Sequence, residues 1–337
     1  RSGGPGPARA DGLAEVDTAL VALVDADVEV RAGWLDHLVG HFDDESVVAV
    51  APRVRSREGP GLRERYERDH SPIDLGPSPG LVGPGRPVGY VPTAALVLRS
   101  EAVAALGGFD LDLRWGEDVD LVWRLIDAGG AIRYEPDVEV VHDPRGSWAS
   151  WLRQRLVYGA SAVPLGMRHG TKVAPARCSP WSAAAWVVAA AGHPLLGTGV
   201  AAASTAALVA KLEGLPSPVT EAARLAIPGH LHAGRGLARA VTRAWWPLAV
   251  GAALVAPRLR RSLAVAMIGP ALTEWVGGRR PADPVRSVAL RVLDDMAYGA
   301  GVWEGTMRHR DVTALVPDLV EWPGRRSAME ADTVTGS

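Results

Sequence analysis

The order of apolar and polar residues divides the chain into two parts. From Val21 to Asp143, short apolar runs alternate with amphipathic segments, an order typical of an α/β domain with a mostly parallel sheet. After Ser147 the apolar positions recur at helical spacing, and the segments become longer and more apolar. We therefore predict a sheet-containing part followed by a helical part.

The first part carries signals for individual elements. We predict strands over 19–24, 47–51, 88–98, 131–134 and 138–141, a helix over 33–42, a short helix capped by Ser100 and ended by Gly107-Gly108, a helix from Glu117 to Gly129-Gly130, and a loop over 76–87. In the helix over 33–42, one face is apolar and consists of Trp34, Leu35, Leu38, Val39 and Phe42.

The second part contains segments suited to a membrane. Trp148 and Trp151 begin an amphipathic helix typical of an interface. Ser182 to Ala210 has no formally charged residue over 29 positions, enough to cross a hydrocarbon core of ~30 Å, but Gly192-His193-Pro194 interrupts it. Shorter apolar blocks follow over 245–256 and 262–273. One true span and a buried or re-entrant helical hairpin both fit this pattern, and we expect membrane association.

The composition of the chain limits the kinds of molecule that it is expected to bind. At 337 residues and 47% apolar content, the chain can fill the cores of two domains. Seven arginines and no acidic residue lie between Glu221 and Glu274, which favours an anionic lipid surface. Nucleic acid is the weaker interpretation, because these arginines alternate with apolar runs rather than with stacking aromatics. The single cysteine, Cys178, excludes an intrachain disulfide and fits a reducing compartment.

Two acidic groups carry the candidate chemistry. Asp25 and Asp27 follow an apolar strand, so their carboxylates should lie at its carboxyl end, where they can hold Mg²⁺ or Mn²⁺ against a nucleotide diphosphate. Glu117 and Asp118 open a helix, and Asp118 is the candidate base. Either acidic group alone could instead be structural, because acidic residues are common in turns and at helix starts. The two groups occurring in this order favour an active site. His142 ends a later strand, where a histidine is either a metal ligand or a structural residue.

The motifs resemble those of family-2 glycosyltransferases of the GT-A fold. The match rests on Ala8-Arg9-Ala10-Asp11-Gly12-Leu13, Asp25-Ala26-Asp27, Gly108-Phe109-Asp110, Gly116-Glu117-Asp118-Val119-Asp120-Leu121 and Val141-His142. A narrower resemblance, to the glycosyltransferases of the mycofactocin system of actinobacteria, rests on Tyr90-Val91-Pro92-Thr93-Ala94-Ala95-Leu96, Tyr158-Gly159-Ala160-Ser161-Ala162, Arg168-His169-Gly170, Ser179-Pro180-Trp181-Ser182-Ala183-Ala184-Ala185-Trp186, Arg243-Ala244-Trp245-Trp246-Pro247-Leu248 and Leu293-Asp294-Asp295-Met296-Ala297-Tyr298-Gly299-Ala300-Gly301-Val302-Trp303. It covers almost the whole chain.

The resemblance implies an inverting hexosyltransferase at the cytoplasmic face of the cell membrane. The reaction would move glucose from UDP-glucose onto a peptide-derived redox cofactor precursor. The expected site consists of Asp118 and Glu117 as catalytic residues, Arg9, Asp11, Asp25 and Asp27 as donor contacts, Asp25 touching the ribose or supporting the metal, Trp115, Tyr90 and Thr93 as acceptor contacts, and Asp27 and His142 as ligands of Mg²⁺ or Mn²⁺. Trp115 suits stacking on a sugar face or, equally, a core position. The positive charge of Arg155 would offset the negative charge of the departing diphosphate.

The chain departs from the family pattern in two places. The family usually has Ala-Arg-Asn-x-Gly where this chain has Ala8-Arg9-Ala10-Asp11-Gly12. The family also usually has a nucleotide-binding βαβ unit before this motif. The resemblance therefore implies an N-terminally truncated α/β GT-A domain with a mixed sheet over 1–146. We expect amphipathic interface helices over 147–180, a membrane-associated helical region over 181–320 and a disordered tail over 321–337. A lipid-linked or cell-wall acceptor, and an inactive fragment serving as a membrane-bound interaction module, remain alternatives.

Overall fold

The computed structural model describes residues 5–277 and 283–320. The chain forms two compact units, residues 1–173 with 304–311, and residues 174–303 with 312–337. The predicted tail over 321–337 lies outside the described residues.

The first unit contains a six-stranded sheet and six helices. Its strands are β1 (Leu20–Val24), β2 (Val28–Glu29), β3 (Val47–Ser56), β4 (Gly80–Leu81), β5 (Ala95–Arg99) and β6 (Ala131–His142). Its helices are α1 (Pro5–Ala14), α2 (Trp34–Val39), α3 (Leu62–His70), α4 (Ser100–Ala105), α5 (Glu117–Asp127) and α6 (Trp148–His169), with 3₁₀ turns at Gly40–Asp43 and Gly170–Val173.

The sheet is mixed, so the mixed GT-A-like sheet is confirmed, whereas the expectation of mostly parallel pairing is wrong. The strand order is β1-β5-β3-β6-β2, with β4 also paired to β6. Within this sheet, as far as the structure describes it, the β3–β6 pair is parallel and the other pairs are antiparallel. Alternation of strands and helices indicates that crossover connections exist. It does not indicate which strands become neighbours in the sheet, or whether they run parallel.

Strand boundaries differ from the prediction at two places. The segments 131–134 and 138–141 form one strand, β6, because residues 136–138 bulge out where the register with β3 shifts after Pro52. The predicted strand over 88–98 is regular only from Ala95, since Gly89 and Pro92 interrupt its first half.

Most helix predictions in this unit are confirmed. Gly107 and Gly108, which follow α4, have φ of 74° and 75°, and Gly129, which follows α5, has φ of 93°. The predicted cap is wrong, because Ser100 is already the first helical residue and its buried hydroxyl has no hydrogen-bond partner. On α2, Val39 is exposed, because the last turn tightens into a 3₁₀ helix and rotates it away from the core.

The core of the first unit lies on both faces of the sheet. One cluster packs α4 and α5 against β3, β5 and β6, with Leu96, Leu121 and Ile132 at its centre. A second cluster packs Leu38 and Phe42 against the opposite face of the same strands. Burial of α5 against the sheet fixes the position of its first turn, which carries the Glu117-Asp118 pair.

The second unit is helical. Its elements are β7 (Arg177–Cys178), α7 (Pro180–Ala190), α8 (Pro194–Lys211), α9 (Pro218–Arg243), α10 (Trp246–Val255), α11 (Arg260–Gly277), the first twenty residues of α12 (Pro284–His309) and β8 (Asp318–Leu319), with 3₁₀ turns at Pro257–Leu259 and Thr313–Leu315. The predicted break at Gly192-His193-Pro194 separates α7 from α8. Of the described helices, α8 is long and apolar enough to cross a membrane, judged by length and composition.

Candidate active site

The first acidic group lies in the turn between β1 and β2. Strand β1 ends at Val24, after which the amide of Asp25 donates to the carbonyl of Ala94 at 2.9 Å. The amide of Val28 donates to the carbonyl of Asp25 at 3.0 Å and closes the turn. Asp25 and Asp27 therefore lie at the carboxyl end of β1, where the sequence places them.

Pairing of β2 with β6 brings together the two predicted metal ligands. Val28 lies opposite His142 in this antiparallel pair, so the preceding residue, Asp27, reaches the same histidine. Its Oδ2 is 3.4 Å from His142 Nε2. Over residues 5–277 and 283–320, no third histidine, cysteine or acidic residue completes a cluster of metal ligands. A divalent ion that uses one or two protein ligands plus substrate phosphates still fits this arrangement.

The second acidic group begins α5. Gly116 precedes it with φ of 82°, a conformation that glycine adopts without strain. A Cβ at Gly116 would also lie 2.9 Å from Leu165 Cδ1, so glycine allows α6 to approach this turn closely. Glu117 and Asp118 occupy the first turn, where the helix dipole favours negative charge.

Asp118 has the electrostatics of a proton acceptor. Burial, followed by the negative charge of Glu117, raises its pKa from 3.8 to about 6, against the lowering effects of the Val119 amide and of Arg9. The Val119 amide donates to Asp118 Oδ1 at 2.8 Å, which fixes the carboxylate at the helix start. A carboxylate with this pKa is mostly ionised at neutral pH and remains basic enough to accept a proton in a transition state.

Arg9 connects the two acidic groups. It extends from α1 and donates from Nη2 to Asp25 Oδ1 at 2.6 Å and from Nη1 to Glu117 Oε1 at 2.7 Å. Its guanidinium also lies 5.9 Å from the ring centre of Phe109. The Arg9 side chain is 14% exposed and that of Glu117 is 6% exposed, so the ion pair is largely shielded from water.

A buried network holds α5 in place behind the site. Asp120 accepts hydrogen bonds from Arg124 Nε at 2.7 Å and pairs with His169 Nε2 at 2.9 Å. The Arg124 guanidinium also donates to the carbonyls of Leu106 and Gly108. These contacts join α5 to α6 and to the Gly107-Gly108 turn, which gives Asp120 and the Arg168-His169-Gly170 motif a structural role.

The predicted acceptor contacts have different surroundings. Trp115, directly before the Gly116 turn, is 40% exposed, as stacking on a sugar requires. Tyr90 is partly buried and donates to the carbonyl of Pro72 at 3.3 Å. Thr93 is 1% exposed, so contact between its side chain and an acceptor requires local opening. Asp11 lies exposed on α1, and its donor contact stays a prediction.

One residue on α6, Tyr158, was not assigned a role from the sequence. Tyr158 accepts a hydrogen bond from Gln154 Nε2 at 3.2 Å, and burial, with the charge of Asp118 as the next contribution, raises its pKa. Tyr158 therefore lies near Asp118. The Tyr158-Gly159-Ala160-Ser161-Ala162 motif was a signal for this position, but only the packing of α6 on Gly116 shows its neighbour.

Arg155, by contrast, is unsuited to the diphosphate. The sequence suggested that its charge offsets that of the leaving group. In the structure Arg155 is buried, pairs with Glu67 and lies over the Trp151 ring at 5.0 Å. Trp151 also donates to Glu67 at 2.5 Å. The charge of Arg155 is thus neutralised by Glu67 inside the core, between α3 and α6.

Comparison with known proteins identifies the family of the chain. Residues 1–102 match the model of glycosyl transferase family 2. The pre-mycofactocin glycosyltransferases of two Mycobacterium tuberculosis strains are each 41% identical over 329 residues, covering 94% of this chain and 70% of their own length. The chain belongs to the family-2 glycosyltransferases. The narrower resemblance to the mycofactocin-system enzymes is confirmed by the same identity.

A solved structure is more distantly similar. It is a mannosyltransferase from Pyrobaculum calidifontis in complex with GDP-mannose and Mn²⁺, which is 18% identical, with a TM-score of 0.36, covering 80% of this chain and 67% of its own. This overlap is too low to argue from. Membership of family 2 rests on the sequence matches, and it makes the chain a hexosyltransferase.

Proposed function

We propose that this chain is an inverting, metal-dependent hexosyltransferase that moves glucose from UDP-glucose onto the peptide-derived redox cofactor precursor of the mycofactocin pathway. The names of the 41% identical relatives support the acceptor class. The observation that carries the mechanism is the Asp118 carboxylate, fixed at the start of α5 with its pKa raised to about 6.

Asp118 acts as the general base in this proposal. Its carboxylate takes the proton from an acceptor hydroxyl as that oxygen attacks the anomeric carbon of the donor. The bond from this carbon to the diphosphate breaks on the opposite face, and the configuration inverts. Trp115, exposed beside the Gly116 turn, offers a surface on which the acceptor sugar or peptide can stack.

The turn after β1 binds the donor. Asp27 and His142, 3.4 Å apart, would hold Mg²⁺ or Mn²⁺, which when bound neutralises charge on the departing diphosphate. Asp25, whose side chain is 34% exposed, would contact the ribose while Arg9 donates to its Oδ1. The openness of this turn suits a large, charged ligand that enters from water.

Product analysis tests the proposal. The protein is incubated with UDP-glucose, Mn²⁺ and the peptide-derived precursor, and the precursor is examined by mass spectrometry. We expect it to gain hexose units with UDP-glucose, and to gain none with chelator present. Transfer from GDP-mannose instead would contradict the donor, and transfer unaffected by chelator would contradict the metal. An unmodified precursor, with transfer to lipid-linked or cell-wall glycan, would favour the alternative acceptor.

We also propose that the second unit binds the cytoplasmic face of the cell membrane. Large apolar side chains are more than half exposed on four of its helices: Leu195 and Leu196 on α8, Leu254 and Val255 on α10, Val265 on α11 and Val285 on α12. Arg258, Arg260 and Arg261 lie next to this surface in sequence, between α10 and the first turn of α11. Exposed apolar residues with adjacent arginines fit an anionic lipid surface.

Flotation with lipid vesicles tests this location. We expect the protein to float with phosphatidylglycerol vesicles at low salt, and less with phosphatidylcholine vesicles or at high salt. The triple variant R258Q/R260Q/R261Q should float less at low salt. Failure to bind either vesicle type, in protein that is monodisperse without detergent, would contradict the proposal.

A further inference from the structure

In the second unit, helix α12 has its polar and apolar faces reversed. Asp294 and Asp295 are only 3% and 5% exposed. On the outer face of the same helix, Val285 is 75% exposed and Leu293 is 43% exposed. A helix at the surface of a water-soluble domain buries its apolar residues and exposes its charged ones. The opposite arrangement indicates that the outer face of α12 meets an apolar partner.

Salt bridges compensate the charges on the inner face of α12. Arg243 of α9 donates from Nη1 to Asp295 Oδ1 at 3.0 Å, and Arg291 Nη1 lies 3.3 Å from the same oxygen. Arg291 Nε also donates to Glu274 of α11 at 2.9 Å. These contacts hold α12 against α9 and α11 through its charged face, so its apolar face is left at the surface.

A groove of about 640 Å³ runs between the apolar faces of α11 and α12. Among the described residues, those that line it are all apolar, and they include Ile268 and Leu272 on α11 and Val285, Val288, Val292 and Met296 on α12. From Val285 to Met296, α12 rises about 16 Å. This length is close to half of a hydrocarbon core of ~30 Å, the depth that one acyl chain covers. The groove therefore fits a single hydrocarbon chain.

A cationic residue lies on the same face of α11 as the groove. One exposed stripe, at intervals of three or four residues, consists of Arg261, Val265, Ile268 and Leu272. Because Ile268 and Leu272 line the groove, Arg261 lies along its axis, about 10 Å before Ile268. Within the part of the chain that the structure describes, Arg261 forms no salt bridge with an acidic side chain. Its guanidinium is thus available to a phosphate.

We propose that the groove between α11 and α12 holds one acyl chain of an anionic membrane phospholipid, whose phosphate binds Arg261. This inference rests on the proposed membrane location of the second unit and goes further, because it assigns one lipid to one site. Hydrocarbon suits a groove without polar groups, and the negative phosphate complements the guanidinium. An extended peptide in the same groove would leave its backbone amides and carbonyls without partners.

Photo-crosslinking tests the acyl-chain site. The probe is phosphatidylglycerol with a diazirine near the end of one acyl chain, carried in phosphatidylglycerol vesicles, and labelled peptides are identified by mass spectrometry. We expect the label within residues 265–277 and 284–296. Ala289→Trp, at an exposed position that lines the groove, should fill it and lose most of this label. Ala264→Trp, at an exposed position of α11 outside the groove, should keep the label.

A second probe tests the contact with the phosphate. It carries the same diazirine chain on phosphatidylcholine, whose headgroup has no net charge. The wild type should be labelled more strongly by the phosphatidylglycerol probe, and Arg261→Gln should lose this preference. Arg224→Gln, on α9 with a side chain that is 79% exposed, is the matched control and should keep it. An unchanged preference in Arg261→Gln would overturn the assignment of the phosphate to this residue.

Flotation of the same samples separates this site from membrane binding in general. If the protein floats but the label is spread over all exposed helices, or is unaffected by Ala289→Trp, the site is overturned and the membrane location stands. If the protein does not float, the membrane location fails, and a short-chain, monomeric form of the probe tests the groove. Absence of label from the groove then overturns the site as well.

Two further measurements keep the test decisive. A dimer that Ala289→Trp disrupts, in protein whose groove takes no label, would overturn the inference by showing that a second copy covers this face. If circular dichroism shows that Ala289→Trp does not fold, Val285→Gln replaces it, because Val285 is 75% exposed and its loss leaves the core intact. Undiminished labelling of the groove in folded Val285→Gln would likewise contradict the site.

Discussion

The two acidic groups of the first unit have opposite surroundings. Asp25 and Asp27 lie in an open turn, with side chains 34% and 43% exposed. Glu117 and Asp118 begin a helix packed between the sheet and α6, and burial raises the pKa of Asp118 to about 6. A carboxylate in water stays charged and suits a cation, whereas a desolvated one becomes a base near neutral pH. The difference in exposure therefore favours the different roles that we propose for these similar residues.

The largest expected effect is the loss of the base. Asp118→Asn removes the proton acceptor with little change in volume, so kcat should fall by about 10²- to 10⁴-fold while affinity for the donor is retained. Steady-state kinetics and calorimetry with the donor measure the two quantities. Asp112→Asn, an exposed acidic residue of the preceding turn, is the control and should be near wild type. More than about half of the wild-type turnover in Asp118→Asn would reject the assignment.

In the turn between β1 and β2, loss of a carboxylate should weaken metal and donor binding. Asp27→Ala should weaken metal-dependent binding of UDP by about tenfold or more, because only His142 then remains at the predicted metal position. Calorimetry with UDP and Mn²⁺ gives the affinity, and Asp17→Ala, another exposed acidic residue, serves as the control. Equal affinities in Asp27→Ala and the wild type would remove Asp27 from the metal site.

Stability distinguishes a base from a helix cap at Asp118. Its pKa is raised on folding, so the folded state binds the proton more tightly and the free energy of unfolding decreases as pH rises from about 4 to above 6. Asp118→Asn removes this cost and should raise stability by about 1–3 kcal/mol at pH 7.5, with little effect at pH 4. Urea unfolding at both pH values measures it. A loss of stability at pH 7.5 is what a simple cap predicts.

The last prediction concerns the stability contributed by Gly116, in the turn directly before α5. Gly116→Ala should cost about 1–3 kcal/mol, because alanine disfavours φ of 82° and its Cβ meets Leu165. Gly12→Ala in α1, where a Cβ meets no atom within 4 Å, should instead raise stability by about 0.5–1 kcal/mol. Equal effects of the two substitutions, measured by urea unfolding, would show that Gly116 is not needed for the close approach of α6.

Local signals in the sequence were sufficient to predict where both acidic groups lie in the secondary structure. The apolar run before Asp25 and the helical spacing after Glu117 predicted a strand end and a helix start, and both are confirmed. Gly107-Gly108 and Gly129 marked helix ends because they favour positive φ. These features depend on neighbours within a few residues, which the sequence shows directly.

Tertiary contacts were not predictable in the same way. Arg9 was assigned to the donor by resemblance, but its contact with Glu117 joins residues 108 positions apart. Arg155 was associated with the diphosphate, although Glu67, 88 positions away, neutralises it in the core. Strand runs gave no information on direction of pairing, so the mixed sheet was read as mostly parallel. Partners far apart in the chain are determined by packing, which a pattern of residue types does not contain.

The pH dependence of kcat/KM tests the central claim most directly. If the partly buried Asp118 carboxylate is the base, kcat/KM for the wild type should rise with pH through a limb near the Asp118 pKa of about 6, because only the ionised form accepts a proton. The residual activity of Asp118→Asn should lack this limb. A limb near pH 6 that persists unchanged in Asp118→Asn would belong to another group and would contradict the account.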